Sequence, residues 1–548
     1  MRASDGDGAP AVNETVNETV DDDDPLCLDS PAGVLWTRVN VSEAVPGVMT
    51  PITWSFYGEL LETSARRGFH DLGIIPRSET GYPASTSDRM FGVFAGRFAA
   101  NVGVVRTIMG SLPGVSGDDV ERDMLGSIRD GVQDGDLGFR LPMIALRMPG
   151  RLLGAGRRAS RCRRNFGRWW SERVGREGLT GPGSPREALA EAADRFHAAL
   201  RLQSHSRLLY SGATSALTDL SAKAGRPELL PRLLSAVGGI EETAVADDLW
   251  RVAHGRLELA TFLARHGYHG PTVGEIASRS WREDPAPVER LLARLRDTEP
   301  PWVRREPLRA ARDEAARDVL AALGPGQRPV ARAVFRVAPS SALALQRTKA
   351  SFLMALDVAR AAVRGIGAEL VAGGHLDDGA DAFQFFLPEL LEPSPRAGLR
   401  ERAGRRAAAR ARYEELEVPE TWSGPVPVRP RGGAEPADRP AVARVTGLGV
   451  AAGVACGTVR VVVDPCDDAG IEVGDVLVCH TTDPSWVALM TLASALVIDV
   501  GGAASHGAVV ARELGIPCVI GTHTGTTELR DGARVRVDGS SGTVEVIG

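Results

Sequence analysis

The chain has 548 residues, too many for one hydrophobic core, so two or three domains are expected. Charged residues make up 24% and hydrophobic ones 43%, the balance of an ordinary globular protein. A net charge of −6 argues against a protein whose main task is holding nucleic acid or an anionic membrane. The cysteines (Cys27, Cys162, Cys456, Cys466, Cys479 and Cys518) form no C-x-x-C pair, which argues against a cysteine zinc site or a dithiol redox motif. They are expected to be mostly buried free thiols in a reducing compartment. The N-terminus has no basic segment ahead of an apolar stretch, and no apolar run is long enough to span a bilayer, so no membrane partner and a cytoplasmic location are expected. The sequons at Asn13, Asn17 and Asn40 then carry no weight.

In chain order, residues 1–30 contain Asp21 to Asp24 and few large apolar groups, and read as a disordered acidic tail. Residues 31–422 read as mainly α-helical, with helical spacing over 184–203, 226–238, 245–266, 286–296, 306–323 and 342–373 and few strand signals. Gly181-Pro182-Gly183 and Gly324-Pro325-Gly326 punctuate them. Within this region Arg157, Arg158, Arg161, Arg163, Arg164 and Arg168 precede Trp169 and Trp170, a basic cluster read as a solvated face or a partner-docking surface. Arg400 to Arg412 reads as a solvent-exposed helical arm. Residues 423–440 are rich in Pro and Gly and read as a hinge linker.

After 440 the texture changes. Short Val-rich strands are expected at 457–463, 476–478, 495–500, 518–520, 534–537 and 543–546, with helices at 485–492 and 507–514. Residues 441–548 form a compact domain mixing strands and helices, and the fold class is multidomain α+β: a mainly helical region followed by a β/β/α domain. Gly447-x-Gly-x-x-x-Gly453 has the wrong spacing for a dinucleotide loop, and no β-α-β unit follows it.

The informative stretch runs from Gly501 to Pro517. A strand ends at Val500, and Gly501 and Gly502 permit a tight turn. Ser505 is a good N-cap, His506 takes the first helical position, and Gly507 follows. A helix N-terminus offers free N–H groups and partial positive charge, a natural seat for a phosphoryl group. The same field favours a neutral, nucleophilic imidazole. Small neighbours are expected to leave the ring exposed. The plainer reading is a histidine that only caps a helix.

From Ala441 onward the chain resembles the mobile phosphohistidine domain of the phosphoenolpyruvate-utilising enzymes. The resemblance rests on Gly447 to Gly453, Thr482-Asp483-Pro484-Ser485-Trp486, Ser505-His506-Gly507, Ala511 to Pro517, Gly521-Thr522, Asp531-Gly532 and Val537-Asp538-Gly539. It implies that His506 is the phosphorylated residue, with Gly501, Gly502, Ser505 and Gly507 supporting its loop, and that the domain swings on the linker between a donor and an acceptor site. Upstream, Trp36 to Asn40, Glu43 to Pro51, Gly96-Arg97-Phe98, Leu112-Pro113-Gly114, His266 to Gly270, Gly274-Glu275-Ile276 and Trp281 to Pro285 are similar to the acceptor-binding region of the rifampicin phosphotransferase branch. Gly373 to Asp378, with Asp381 and Phe383, resembles the segment before the linker. On that resemblance His269, Glu275, Arg347, Lys349 and Arg360 are the acceptor-side and phosphate-side candidates; metal ligands stay unassigned.

The central motif departs from the branch. The resemblance expects an arginine where His269 stands and an acidic residue where Ala277 stands, Pro271 and Thr272 look inserted, and Leu345-Gln346 replaces an Arg-Glu pair. The ATP-grasp domain of the family is not matched, so a separate ATP-grasp protein is expected to charge His506 from ATP with Mg2+. The leading reading is a phosphotransferase, of the kinase or dikinase kind, that passes the group to a small organic acceptor. The alternative is a catalytically degenerate relative serving as a small-molecule binding or regulatory module. A nucleic-acid binder built on the Arg cluster is the weakest of the three, and no nucleic-acid partner is expected.

Overall fold

The computed structural model describes residues 26–39, 41–110, 116–125, 140–236, 238, 240–394, 397–431, 443–463, 470–482, 486–502 and 505–547. Most of the acidic tail, the linker beyond 431, Leu112 to Gly114, Cys466, the sequon asparagines and Asp483 to Ser485 lie outside these residues. The fold is mixed α+β, 56% helical, with a strand-rich C-terminal domain. No helix among the described residues is long and apolar enough to cross a membrane.

The helices that build the site are α1 (Leu61–Asp71), α2 (Ala155–Arg173), α3 (Pro185–Lys223), α4 (Glu241–Ala253), α5 (Leu259–His266), α6 (Ala286–Leu295), α7 (Pro301–Ala322), α8 (Arg328–Ala372), α9 (Leu399–Glu414) and α10 (His506–Leu514). Ser184 and Glu187 close a reciprocal capping box at the start of α3, with Pro185 at its first turn, so the helix start is written in the sequence. In α8 every residue from Leu353 to Val363 is buried. A helix buried all round is a central one, and α2 and α3 pack along it. Phe196 and Phe352 meet edge-on between α3 and α8 at 5.9 Å.

Burying the whole girth of α8 also buries Asp357 completely. Its carboxylate is compensated by Arg282 Nε at 3.0 Å, Arg360 Nη1 at 3.0 Å and the Trp170 indole N–H at 2.8 Å. Burial alone would push this carboxyl up, but the two guanidiniums hold it below the ordinary range.

Several expectations are corrected. The stretch 226–238 is helical only over Pro227–Leu233. The stretch 245–266 breaks between α4 and α5, where Gly255 adopts φ +65° and ends the first helix. The arm at 400–412 is α9, and one face of it is buried: Ala403, Arg406, Ala409 and Tyr413 recur at helical spacing, and Arg406 pairs with Glu389 at 2.7 Å. Of the described cysteines only Cys479 and Cys518 are buried. Trp169 and Trp170 are buried while Arg157, Arg161, Arg164 and Arg168 are exposed, so the basic face of α2 has no accessible indole interleaved with it.

A sheet also appears where few strands were expected. Strands β1 (Leu35–Thr37), β2 (Phe91–Phe94), β3 (Arg97–Asn101) and β4 (Thr421–Ser423) form a four-stranded antiparallel sheet in the order β2-β3-β1-β4. Trp36 pairs with Trp422, which ties the two ends of the helical region together.

The C-terminal domain contains β5 (Arg444–Thr446), β6 (Leu448–Ala451), β7 (Val454–Val462), β8 (Val476–Cys479), β9 (Ala495–Ile498), β10 (Cys518–Ile520), β11 (Arg534–Asp538) and β12 (Thr543–Val546). They form one eight-stranded sheet in the order β6-β10-β9-β8-β7-β11-β12-β5. Strands β7, β8, β9 and β10 run parallel, and buried residues fill β8, β9 and β10 from end to end, as a sheet covered on both faces requires. One apolar core is continuous from Val245, Leu249, Phe262 and Trp281 of the helical region to Trp486, Val487, Met490 and Leu514 of this domain. The two regions are therefore docked, and docking aims the start of α10 at α8.

Candidate functional site

The site begins where β9 stops. Asp499 pins the strand end, accepting from the Thr522 hydroxyl at 2.7 Å and the Thr526 backbone N–H at 3.1 Å. Gly501 then takes φ +143°, and a Cβ there would lie 2.6 Å from Ile520 Cδ1. Gly507 is equally confined, since its Cβ would lie 2.6 Å from Ile498 Cδ1 and 2.7 Å from Thr482 Oγ1. The positive φ at Gly501 favours glycine in its own right, and at both places a Cβ would require the neighbouring isoleucine side chain to shift. Gly502 O accepts from Ser505 N at 3.0 Å, and Ser505 Oγ caps α10 by accepting from Ala508 N at 3.3 Å. His506 is thereby held at the first position of the helix.

The ring faces the helical region. Lys349 Nζ, on α8, lies 3.0 Å from His506 Nδ1. Glu242 Oε1, in the first turn of α4, lies 3.6 Å from the same nitrogen and 3.5 Å from Lys349 Nζ. Glu43 Oε2 accepts from the backbone N–H of His506 at 3.2 Å, so a carboxylate already sits at the positive end of α10. Contrary to the expectation of an open ring, His506 is only 9% exposed. Its sequence neighbours are small, but the docked helical region covers it.

The other sequence candidates fall in different places. Arg347 Nη1 donates to Ser160 Oγ at 2.9 Å, tying α8 to α2. It stands two positions from Lys349, and residues so spaced on a helix do not share a face. Glu275 accepts from Thr50 N (3.1 Å), Thr50 Oγ1 (2.7 Å), Thr53 Oγ1 (2.7 Å) and Ala277 N (2.9 Å), which fastens its loop to the helix Pro51–Ser55. Arg360 is buried beside it, donating to Glu275 O at 3.1 Å and to Asp357 at 3.0 Å. His269 is buried against Tyr268 and Trp281, with ring centroids at 4.4 and 5.5 Å. The structure thus joins Lys349 to His506, and Glu275 to Arg360.

Sequence reading missed Glu242 and Glu43 as neighbours of the histidine. Glu242 follows Glu241 at a helix start, where acidic residues are ordinary, so nothing marked it. Glu43 stood inside a recognised motif without a role.

Two further features bear on chemistry. A cavity of about 40 Å³ lies between α3, α8 and α10, lined by Tyr210, Thr214, Ile240, Gln346, Val509 and Arg512 among others. Among the described residues, Glu241, His266 and His269 are grouped so that three of them could hold a metal. Two imidazoles do not suit Mg2+, which selects oxygen ligands, so this cluster does not fit the expected magnesium.

Residues 471–542 match the model of the PEP-utilising enzyme mobile domain, and residues 255–346 match that of the rifampicin phosphotransferase fourth domain. Rifampicin phosphotransferase of Streptomyces sviceus is 29% identical over 329 residues, covering 58% of this chain and 38% of that protein. Phosphoenolpyruvate synthase of Aeropyrum pernix is 52% identical over 101 residues, 18% of this chain and 12% of that one. A protein of Bacillus subtilis described as an uncharacterized phosphotransferase, YvkC, is 34% identical over 192 residues, 33% of this chain and 23% of that one. The chain therefore spans less than two fifths of the length of these relatives. The matches bear out the resemblance to phosphoenolpyruvate-utilising enzymes, with His506 inside the mobile-domain match and His269 and Glu275 inside the other.

Proposed function

We propose that the chain is a phosphotransferase or phosphotransferase subunit that carries a phosphoryl group on His506 and delivers it to a small organic acceptor. The observation that carries this reading is the contact between Lys349 Nζ and His506 Nδ1 at 3.0 Å, at the head of α10. An ammonium that donates to Nδ1 draws electron density out of the ring. That makes imidazole a better leaving group from a phosphoryl bonded to Nε2, because the electron pair of the breaking P–N bond returns to the ring. Glu242 holds the ammonium in place and balances its charge.

The delivery step is an in-line displacement. The Nε2–P bond breaks, the acceptor O–P bond forms, and Nε2 receives the proton of the acceptor hydroxyl. The product is a neutral imidazole carrying Nε2–H with Nδ1 accepting from Lys349, which is the tautomer that the observed contact favours. In charging, the neutral imidazole in its Nδ1–H tautomer attacks through Nε2. The Nε2–P bond forms as a P–O bond of ATP breaks, AMP and phosphate are left as the other products, and Nδ1 gives up its proton to solvent, with ATP and Mg2+ to be held by a separate ATP-grasp protein. His506 is buried in the docked arrangement, so the domain withdraws or shifts on the linker for an acceptor to enter.

The alternative, a non-catalytic relative, draws on the altered central motif, where Glu275 and Arg360 serve the fold. One experiment separates the two. ATP radiolabelled in its β-phosphate is added to host lysate containing either the wild-type chain or His506→Ala. Acid-labile label on the wild type alone is expected. Absence of label on the wild type when an ATP-hydrolysing ATP-grasp partner is demonstrably present would reject the phosphotransferase reading.

A further inference from the structure

We infer that Glu241, His266 and His269 form a binding site for a divalent transition-metal ion of the zinc class, next to the docked His506. This goes beyond the phosphoryl-transfer reading and does not depend on it. One donor atom from each residue lies within 4.8 Å of the others. Bonds of about 2.0–2.1 Å to nitrogen and oxygen place tetrahedral ligands roughly 3.4 Å apart, so side-chain shifts of about an ångström complete the geometry.

The two histidines are arranged as ligands. His266 Nε2 lies 3.1 Å from Asp248 Oδ2 and donates its N–H there. That fixes the tautomer and leaves the lone pair on Nδ1, which lies 4.0 Å from Glu241 Oε1. A carboxylate behind a histidine is the usual support of a metal-binding imidazole. His269 is 3% exposed, and neither of its ring nitrogens has a hydrogen-bond partner among the described residues. Nor does His266 Nδ1. Leaving buried polar atoms unpaired is destabilising, and a metal ion satisfies such lone pairs together. The turn in which His269 N donates to His266 O at 3.0 Å brings the two side chains to one side of the loop.

Glu241 supplies the anionic ligand. Its carboxylate is held in place by Arg163 at 2.9 Å and the Tyr268 hydroxyl at 2.5 Å. Both of these contacts are to Oε1. Arg163 already balances the Glu241 charge, so affinity rests on the two nitrogens, which favour zinc-class ions over magnesium or calcium. Glu241 adjoins Glu242, which touches Lys349 and His506, so a bound cation adds positive field behind the phosphoryl seat.

The test uses the metal-free full-length chain. Titration with Co2+ is expected to give intense visible bands of a low-coordinate nitrogen and oxygen site, without the near-ultraviolet band of thiolate ligation. Elemental analysis after Zn2+ loading and gel filtration is expected to find one ion per chain. His269→Ala and His266→Ala should each weaken binding at least about tenfold, and Asp248→Asn, which leaves every ligand in place, about 10–100-fold. No retained zinc in the loaded wild type would overturn the site. So would a cobalt spectrum dominated by thiolate, or one unchanged in the histidine variants. If a histidine variant fails to fold, the wild-type spectrum and Asp248→Asn decide.

Discussion

Lys349 Nζ and His506 Nδ1 lie 3.0 Å apart although 157 positions separate them in the chain. The pair joins the buried central helix of one region to the exposed-by-sequence loop of the other. Removing the ammonium removes the donor to Nδ1 and, on the proposed mechanism with its separate donor site, leaves charging intact. Lys349→Met should therefore still accept label on His506 but discharge it about a hundredfold more slowly in host extract, the usual size of one lost electrostatic contact to a transition state. Loss of labelling itself would assign Lys349 to charging or to folding, and circular dichroism separates those two.

The same geometry selects a nitrogen. Lys349 and Glu242 both meet the ring at Nδ1, and a phosphoryl group on that atom would displace them. The phosphorylated protein should react with antibodies against the Nε2 isomer of phosphohistidine and not with those against the Nδ1 isomer. Detection of the Nδ1 isomer alone would mean that the docked arrangement is not the one in which transfer occurs.

The capping of α10 is open to a simpler test. Ser505 Oγ accepts from Ala508 N at 3.3 Å. Ser505→Ala leaves that N–H without its cap, at a cost of about 1 kcal/mol. Urea unfolding should show a lower midpoint with an unchanged slope, and Ser505→Asp, which can cap, should recover most of it. An Ala variant as stable as the wild type would make the cap dispensable.

Much of the C-terminal domain was legible because its strands are Val-rich, separated by turns and mostly buried on both faces. β10 and β12 coincide with the expected spans, and α10 begins one residue before its expected start. β5 and β6 were not legible, because Arg444–Thr446 and Leu448–Ala451 are too short to show a period. The small sheet β1 to β4 escaped for the same reason, and because its strands come from both ends of the helical region. Within the site, His506 carried a local signature of glycines, cap and helix. Lys349, Glu242 and Glu43 carry none, since an exposed ion pair on a helix has the same spacing as a buried one turned toward a distant loop.

His197 supplies a pH dependence. Arg67 Nη1 lies 2.9 Å from its Nε2 and donates to it, while Nδ1 meets Ser64 Oγ at 2.8 Å. Burial first, then the charges of Arg67 and Arg201, lower its pKa from 6.5 to about 4. The folded ring is therefore neutral where the unfolded ring is protonated. Stability is full above pH 6.5 and falls as the pH drops toward about 4, because the unfolded state then binds the extra proton. The loss is up to about 2 kcal/mol after allowing for partial exposure of the ring. His197→Gln should flatten the stability profile over that window in chemical denaturation series. An unchanged slope in the variant would show that other groups set the acid limit.

Asp357 sets the largest predicted loss. It is fully buried in α8, and its partners Arg282, Arg360 and Trp170 come from three separate segments. Asp357→Ala removes the shared counter-charge of two guanidiniums that are 5% and 1% exposed, leaving Arg282 the longer ion pair with Glu283 at 3.7 Å. Breaking a buried pair by removing one partner costs about 3–5 kcal/mol, because the remaining charge keeps its desolvation penalty. A combined Asp357→Leu and Arg282→Met change removes charge of both signs and fills similar volume, so it should recover part of that loss. Arg360 would still hold its contacts to Glu275 O and Val273 O. Thermal unfolding of the single and double variants decides the matter. If the double variant is no more stable than Asp357→Ala, the network acts through shape and hydrogen bonding at Trp170, and the charge argument fails.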